Sequence, residues 1–255
     1  MKKAFITGAN KSIGLETARQ LLQQGFSVYL GSRNLENGQK AVEQLKAEGW
    51  IDVEAVQIDV ADDDSVKNAR TEIGKKTDVL DVLINNAGIT GVKLDENGNL
   101  IPQTAESTSI DVFKEVYETN VYGVLRVTQA FLDLLKKSDE PRIVMVSSSQ
   151  GSITLHSDPG YNYKYYHHKG VVYLSSKSAL NMVTVNLAYE LRNTNFKINA
   201  VSPGFTKTDL NFNHGTGTVE DAGKRIVKYA LVGNDGPTGK FFCEETNPET
   251  GEIPW

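Results

Sequence analysis

The sequence predicts an α/β fold, with a doubly wound, mostly parallel seven-stranded sheet that carries helices on both faces. Short apolar runs rich in β-branched residues alternate with amphipathic helical patterns, which is typical of right-handed crossovers between parallel strands. The runs Val79-Leu80 and Val82-Leu83-Ile84 are apolar at consecutive positions, as expected of a central strand covered on both sides. A glycine-containing turn at residues 7–14 joins the first strand to the first helix.

Each predicted strand is a short apolar run bounded by polar or turn-forming residues. The predicted strands are residues 4–7, 27–31, 53–58, 79–85, 142–147, 197–201 and 240–243. Each predicted helix repeats apolar residues three or four positions apart, as Ala41, Val42 and Leu45 do between charged residues. The predicted helices are residues 13–24, 37–48, 63–75, 110–137, 171–193 and 219–231.

The pattern contains no linker and no internal repeat, so the 255 residues are interpreted as one domain, 1–255. Two longer irregular stretches, residues 89–109 and 149–170, are expected at one rim of the sheet. The second stretch contains many tyrosines and histidines: Tyr161, Tyr163, Tyr165, Tyr166, His167 and His168. An aromatic wall of a binding site is one interpretation of these residues, and a solvated loop without a binding role is the alternative.

Composition and charge exclude several classes of protein. A net charge of −5 gives no electrostatic reason to expect a nucleic acid or an anionic membrane as partner. The longest apolar runs are too short to cross a bilayer, and the first residues lead directly into a strand. The single cysteine, Cys243, excludes an internal disulfide, so a reducing cytoplasm is the expected compartment.

No metal site is predicted. The four histidines lack the spacing of metal ligands. Asp95, Asn97 and Asn99 imitate part of a calcium loop, but Leu100 stands where such a loop needs glycine. A surface turn is the interpretation of this segment.

The turn at residues 7–14 reads Thr-Gly-Ala-Asn-Lys-Ser-Ile-Gly. Glycines in a strand–helix turn let backbone N–H groups approach a pyrophosphate at the helix N-terminus. The turn resembles the TGxxxGxG motif of the short-chain dehydrogenase/reductase family, with Ser12 at the place of the middle glycine. The residues assigned here to coenzyme binding are Gly8, Asn10, Lys11, Ser12, Ile13 and Gly14.

The end of the second predicted strand indicates which dinucleotide is bound. NAD sites place an acidic residue there to hold the ribose 2′-hydroxyl, whereas this chain has Arg33 and no acid before Glu36. Arg33 and Lys11 together suit a 2′-phosphate. NADP(H) is therefore the predicted cofactor, with two solvated surface cations as the alternative.

Two further strand ends resemble the coenzyme groove of the family. Asp59 and Val60 follow the third strand, where the resemblance implies a contact with adenine. Asn86, Ala87 and Gly88 complete an NNAG string at the end of the fourth strand.

The reacting groups are predicted from a helix and a strand end. Tyr173 and Lys177 lie four positions apart on one helical face. We expect the ammonium, together with the nicotinamide that becomes cationic on hydride loss, to lower the phenol pKa. Tyr173 then acts as general acid in reduction, and Lys177 also binds the coenzyme. By resemblance, Ser148 is the catalytic serine, although Ser147 and Ser149 are neighbours that an alignment could confuse with it.

Two more segments carry the resemblance. Asn120 is similar to the helix asparagine that holds a proton-relaying water beside the lysine. Residues 203–208 (Pro-Gly-Phe-Thr-Lys-Thr) are similar to the PGxVxT segment, which implies coenzyme contacts from Pro203, Gly204, Thr206 and Thr208. The resemblance covers residues 4 to about 210 and implies a single NADP-binding domain of the Rossmann type.

The predicted function is the NADPH-dependent reduction of a ketone, aldehyde or quinone to an alcohol, as in carbonyl reductases. The expected partner is a small-molecule carbonyl substrate. In the family, an insertion such as 149–170 can obstruct the helix interface used for tetramers, so the resemblance implies a monomer or homodimer rather than a tetramer. An NADP-dependent alcohol or sugar dehydrogenase working oxidatively is the enzymatic alternative. A non-catalytic NADP-binding redox sensor is the alternative of another class, and the presence of both Tyr173 and Lys177 disfavours it.

Overall fold

The computed structural model describes residues 1–158, 160 and 170–255, and these form a seven-stranded sheet covered by helices on both faces. The strands are β1 (Lys3–Ile6), β2 (Ser27–Ser32), β3 (Val53–Gln57), β4 (Val82–Asn85), β5 (Arg142–Val146), β6 (Lys197–Val201) and β7 (Phe241–Phe242). Their order is β3-β2-β1-β4-β5-β6-β7, and every pair is parallel. The predicted doubly wound fold is confirmed, and the sheet is parallel throughout.

The helices agree closely with the periodicity, with two exceptions: a break in the helix predicted over 110–137, and a short helix at Ile153–Ser157 within the stretch predicted as irregular. The helices are α1 (Ser12–Gln23), α2 (Leu35–Ala47), α3 (Asp63–Gly74), α4 (Ile110–Tyr117), α5 (Gly123–Leu135), α6 (Ile153–Ser157), α7 (Val171–Glu190) and α8 (Val219–Ala230). The continuous helix predicted over 110–137 is wrong, because a π-helical turn at Glu118–Tyr122 separates α4 from α5. The strand predicted over 79–85 begins only at Val82, and the backbone N–H of Leu80 donates to Leu134 O at the end of α5 instead of to a neighbouring strand.

Two apolar cores, one on each face of the sheet, hold these layers together. Alternate residues of β1 divide between them: Ile6 packs with α1 and α8, whereas Phe5 packs against Phe131 of α5 at a ring distance of 4.7 Å. Full burial of a side chain of this size contributes about 1.5–3 kcal/mol. Among the described residues, no helix is long and apolar enough to cross a membrane.

The parallel sheet decides where a site can form. All strands point the same way, so the segments that follow them meet along one edge. β1 and β4 are adjacent at the centre, where the order of the strands reverses, and a crevice opens outside their carboxyl ends.

Candidate active site

The predicted site residues all lie at the carboxyl edge of the sheet or on a helix beside it. The turn at 7–14 follows β1, Arg33 follows β2, Asp59 and Val60 come after β3, and 86–88 follow β4. Ser148 comes after β5, and residues 203–208 come after β6. Tyr173, near the start of α7, lines the same cleft as Ser148, Pro203 and Thr208.

The turn after β1 is tight because side chains are absent at two of its positions. Gly8 has a left-handed backbone, with φ of +63°. Ser12 also adopts φ of 54°, so it keeps the conformation that a glycine would take at this place. A Cβ on Gly14 would lie 2.5 Å from the Gly8 carbonyl oxygen, which excludes any side chain there.

The N-terminus of α1 suits a pyrophosphate. Lys11 occupies the N-cap position, its side chain accepts no capping hydrogen bond from the first turn of the helix, and that turn contains no acid. By contrast, Asn34 and Asp62 accept backbone N–H groups at the starts of α2 and α3. The free N–H groups and the positive end of the α1 dipole would stabilise a bound anion, so the residues present fit a dinucleotide.

Asn86 supports this turn rather than pointing away from it. Its side-chain Nδ2 donates to the carbonyl oxygens of Thr7 and Gly8, both at 2.9 Å. Thr7 Oγ1 in turn accepts the backbone N–H groups of Asn86 and Ala87. Sequence reasoning did not single out Thr7, and only the adjacency of β1 and β4 identifies it.

The two cations expected at the 2′-phosphate are exposed. Among the described residues, no carboxylate forms an ion pair with the Arg33 guanidinium at the end of β2. Glu36, the nearest acid along the chain, pairs instead with Lys40 on α2 at 2.7 Å. Lys11 forms an ion pair with Asp209, whose Oδ2 lies 2.7 Å from its Nζ.

The segment after β3 is held from two sides. Asp59 Oδ1 accepts the backbone N–H of Ala61 at 3.0 Å. Arg126 of α5 donates to the Val60 carbonyl oxygen at 2.7 Å and pairs with Glu118 at the start of the π-helical turn. The expected adenine segment is thereby connected to the turn that carries Asn120.

Tyr173 and Lys177 lie together, as their spacing predicts. Lys177 Nζ is 5.5 Å from the centroid of the Tyr173 ring and donates to the Val146 carbonyl oxygen at 2.9 Å. Lys177 is 4% exposed, and burial lowers its pKa to about 8.

The pKa of Tyr173 is raised, opposite to the direction that a neighbouring ammonium alone would give. Burial raises the pKa of Tyr173 to about 12, while a side-chain hydrogen bond with Ser148 acts in the opposite direction. Burial disfavours the phenolate, and the Lys177 ammonium donates to a backbone carbonyl. Tyr173 therefore keeps its proton at neutral pH, which suits a general acid.

The three consecutive serines are used differently. Ser147 Oγ donates to Asn181 Oδ1 at 2.7 Å, and both side chains are buried. All three serines line the cleft, but Ser148 is the one that forms a side-chain hydrogen bond with Tyr173. Ser149 is 5% exposed. The structure therefore distinguishes Ser148, which faces the reacting phenol, from Ser147, which connects β5 to α7.

Asn120 is fully buried, and both ends of its side-chain amide form hydrogen bonds. Its Oδ1 accepts the backbone N–H of Ile89 at 2.9 Å, while Nδ2 donates to Ile89 O at 2.8 Å and Ser176 Oγ at 3.0 Å. Asn120 thus connects the segment after β4 with α7. A π-helical turn at such a position is frequent at functional sites.

The cleft in front of Tyr173 encloses about 180 Å³ and is mainly apolar. Its apolar walls come from four parts of the chain: Ile13 of α1; Val92 and Leu100; Leu174 of α7; and Phe205, Leu210 and Phe212. Gln150, Asn211 and His214 add polar groups. Apart from Ile13, which was assigned to coenzyme binding, the sequence did not single out these lining residues, because most of them lie in loops that show no periodic signal.

The residues after β6 form part of the same wall. Thr206 is 3% exposed and its hydroxyl donates to the carbonyl oxygens of Pro203 and Gly204. Arg225 of α8 also donates to Pro203 O, at 2.6 Å. This segment is therefore held rigidly beside Tyr173.

Part of the predicted insertion cannot be placed beside the cleft. The tyrosines and histidines expected to form an aromatic wall, residues 161–168, lie outside the described residues. Within the described ranges, no group of three or more His, Cys, Asp or Glu side chains could hold a metal ion.

Comparison with known proteins agrees with this geometry. A sequence profile described as short chain dehydrogenase matches residues 2–217. (+)-Neomenthol dehydrogenase of Capsicum annuum is 35% identical, with 94% of each chain covered. Salutaridine reductase of Papaver bracteatum is 32% identical, over 96% of this chain and 95% of that protein. A crystal structure of NADPH-bound carbonyl reductase from chicken fatty liver superposes with a TM-score of 0.81 at 28% identity, covering 100% of this chain and 99% of the other.

Proposed function

The chain belongs to the short-chain dehydrogenase/reductase family of oxidoreductases, and from this premise we propose that it reduces the carbonyl group of a small, mainly apolar molecule with NADPH. The observation that carries the proposal is that Tyr173 and Ser148 line one apolar cleft and that the buried Lys177 lies next to the Tyr173 ring. The family uses NAD(H) or NADP(H), and the exposed Arg33 and the absence of an acid directly after β2 favour NADP(H).

In the proposed reaction NADPH, when bound, supplies the hydride that adds to the carbonyl carbon. Tyr173 donates its phenolic proton to the carbonyl oxygen, so the products are an alcohol and the oxidised coenzyme. Ser148 donates a hydrogen bond to the same oxygen as negative charge develops. The Lys177 ammonium stabilises the phenolate that Tyr173 becomes.

The lining of the cleft supports an apolar substrate. The apolar side chains of the cleft cannot form hydrogen bonds with a polar molecule, so burying such a molecule there would cost free energy. These side chains include Leu174, Phe205, Leu210 and Phe212. The names of two relatives, salutaridine reductase and carbonyl reductase, favour the reductive direction. We therefore expect ketones on apolar rings to be better substrates than charged or sugar-like carbonyl compounds.

The test is to follow oxidation of NADPH and of NADH by the purified protein with a panel of cyclic ketones, aldehydes and quinones. Turnover with NADPH that exceeds turnover with NADH at least tenfold would support the proposal. Preference for NADH would contradict the assignment of Arg33. Oxidation of alcohols without measurable ketone reduction would contradict the reductive direction.

The serines provide a second prediction. Ser148→Ala is expected to lower kcat by about 10²–10³, because a donor to the developing oxyanion is removed. Ser147→Ala is the matched control: it should reduce kcat less but destabilise the fold by about 1–3 kcal/mol, since the buried Asn181 Oδ1 loses its partner. Kinetics and thermal unfolding of both variants measure the two effects. A larger loss of kcat in Ser147→Ala would reverse the assignment.

The pH dependence follows from Lys177. Its pKa is lowered to about 8, so the ammonium is lost as the pH rises through that value. Tyr173, with its pKa raised to about 12, keeps its proton over the same range. We expect kcat/KM for reduction to be flat near neutral pH and to fall above about pH 8.

The control for this profile is Lys177→Arg, which retains a charge at every accessible pH. Its activity should be lower, but the alkaline fall should move to higher pH. A wild-type profile that stays flat to about pH 10 would contradict the role given to the ammonium.

A further inference from the structure

An ion pair joins the two sides of the cleft. Lys11, at the end of the glycine turn, lies 2.7 Å from Asp209, which comes directly after Thr208. The two residues are separated by 198 positions in the sequence. Lys11 is also one of the two cations expected to bind the coenzyme 2′-phosphate, so the same ammonium has two candidate anionic partners.

Asp209 belongs to a loop at residues 205–217, called here the cleft loop. The loop is closed at its base, where Thr216 N donates to Phe205 O at 2.8 Å and Lys207 N to Gly217 O at 2.9 Å. Its middle carries Leu210 and Phe212, which line the cleft. The loop therefore forms a cover whose ends are fixed and whose middle faces the substrate.

The backbone of the cleft loop is close-packed at its base and unusual at its tip. A Cβ on Gly215 would lie 2.1 Å from the Thr206 carbonyl carbon, so the two arms of the loop touch. Phe212 and Asn213 both have left-handed backbones, with φ of 53° and 63°. The tip is thus a defined turn, and the Lys11–Asp209 pair connects the adjoining residues to the glycine turn.

The ion pair between Lys11 and Asp209 is weak enough for another anion to replace the carboxylate. Both side chains are largely exposed, at 63% for Lys11 and 64% for Asp209, so water screens their attraction. A phosphate monoester carries about 1.5–2 negative charges near pH 7 and attracts an ammonium more strongly than a single carboxylate does. A 2′-phosphate arriving at this end of the cleft would therefore displace Asp209.

We propose that Asp209 competes with the 2′-phosphate of NADPH for Lys11, so that it sets the coenzyme affinity and fastens the cleft loop when that phosphate is absent. The proposal rests on the proposed function for the identity of the coenzyme. NADH has no 2′-phosphate, so with NADH the pair persists and the loop stays fastened. NADPH displaces the Asp209 carboxylate from Lys11 and so removes this one attachment of the cleft loop to the glycine turn.

The test is a double-mutant cycle on coenzyme binding. Asp209→Asn removes the charge and keeps the size, and Lys11→Met removes the ammonium. We expect Asp209→Asn to lower the Kd of NADPH two- to fivefold, about 0.4–1 kcal/mol, and to leave the Kd of NADH unchanged. In the Lys11→Met background, Asp209→Asn should change neither Kd. Fluorescence titration at low salt measures all eight values.

Three outcomes would overturn the proposal: an NADPH affinity unchanged or weakened by Asp209→Asn, an equal effect on NADH, or an effect that persists without Lys11. Chymotryptic cleavage after Phe212 gives an independent measure of the loop. Cleavage should be faster in Asp209→Asn, and in the wild type with NADPH than with NADH; equal rates would exclude the fastening.

The same titrations separate this proposal from the proposed function. A wild type that binds NADH as tightly as NADPH would contradict the coenzyme assignment and this proposal with it. If NADPH is preferred but no ketone is reduced, the proposed reaction fails while the competition at Lys11 is still decided by the cycle.

Discussion

Tyr173→Phe is expected to lower kcat for carbonyl reduction by about 10²–10⁴, because it removes the only proton donor that the proposed mechanism places at the carbonyl oxygen. The phenyl ring retains the packing of the tyrosine, so the Kd of NADPH should stay within about twofold. Stopped-flow measurement of the hydride-transfer step, with a separate titration of NADPH, checks both expectations.

The matched control is Tyr189→Phe. Tyr189 lies on the same helix, α7, but is 64% exposed and does not line the cleft. This variant should keep the wild-type kcat. If Tyr173→Phe retained more than about a tenth of the activity, the proton would have to come from another group, and Ser148 would be the next residue to test.

Gly14→Ala is expected to weaken NADPH binding at least tenfold. The added Cβ would lie 2.5 Å from Gly8 O, 2.6 Å from Asn86 Nδ2 and 2.8 Å from Ala9 Cα. The surrounding groups are backbone atoms and the Asn86 side-chain amide, which is held by two hydrogen bonds. The turn itself must therefore move to make room. Overpacking of this kind costs about 1–3 kcal/mol, and the moved N–H groups would no longer suit a pyrophosphate.

Titration with NADPH and thermal unfolding measure the two parts of this effect. Gly233→Ala is the control, since its added Cβ would meet only the end of the Asp235 side chain on an exposed turn. That variant should bind NADPH as the wild type does. Normal NADPH binding by a folded Gly14→Ala variant would contradict the assignment of the turn to the coenzyme.

Most elements of the sheet follow from local patterns, and one helix shows the limit of that reasoning. The apolar spacing over residues 110–137 predicts a continuous helix, yet the backbone widens at Glu118–Tyr122. A π-helical turn accommodates one extra residue inside an otherwise helical segment, so the sequence on each side of it still has the helical period. Its stabilisation comes from distant groups, namely the hydrogen bonds of Asn120 to Ile89 and Ser176.

The chemistry of Tyr173 shows the same limit. Its distance from Lys177 along the helix correctly predicts that the two side chains lie together. The direction of its pKa shift depends on how deeply the phenol is buried and on where the ammonium donates its hydrogen bond. Burial and hydrogen-bond partners are properties of the packed molecule, and the residue spacing contains neither.

The sequence alone determined the order of strands and helices, the turn that suits a pyrophosphate and the absence of an acid after β2. These features depend on residues that are close along the chain, where backbone geometry and side-chain periodicity act directly. Tertiary structure alone decided that Ser148 rather than Ser147 faces Tyr173, that Thr7 and Asn86 brace the turn, and that Asp209 holds Lys11. Each of these contacts joins residues far apart in sequence, and only the folding of the parallel sheet brings them to one edge.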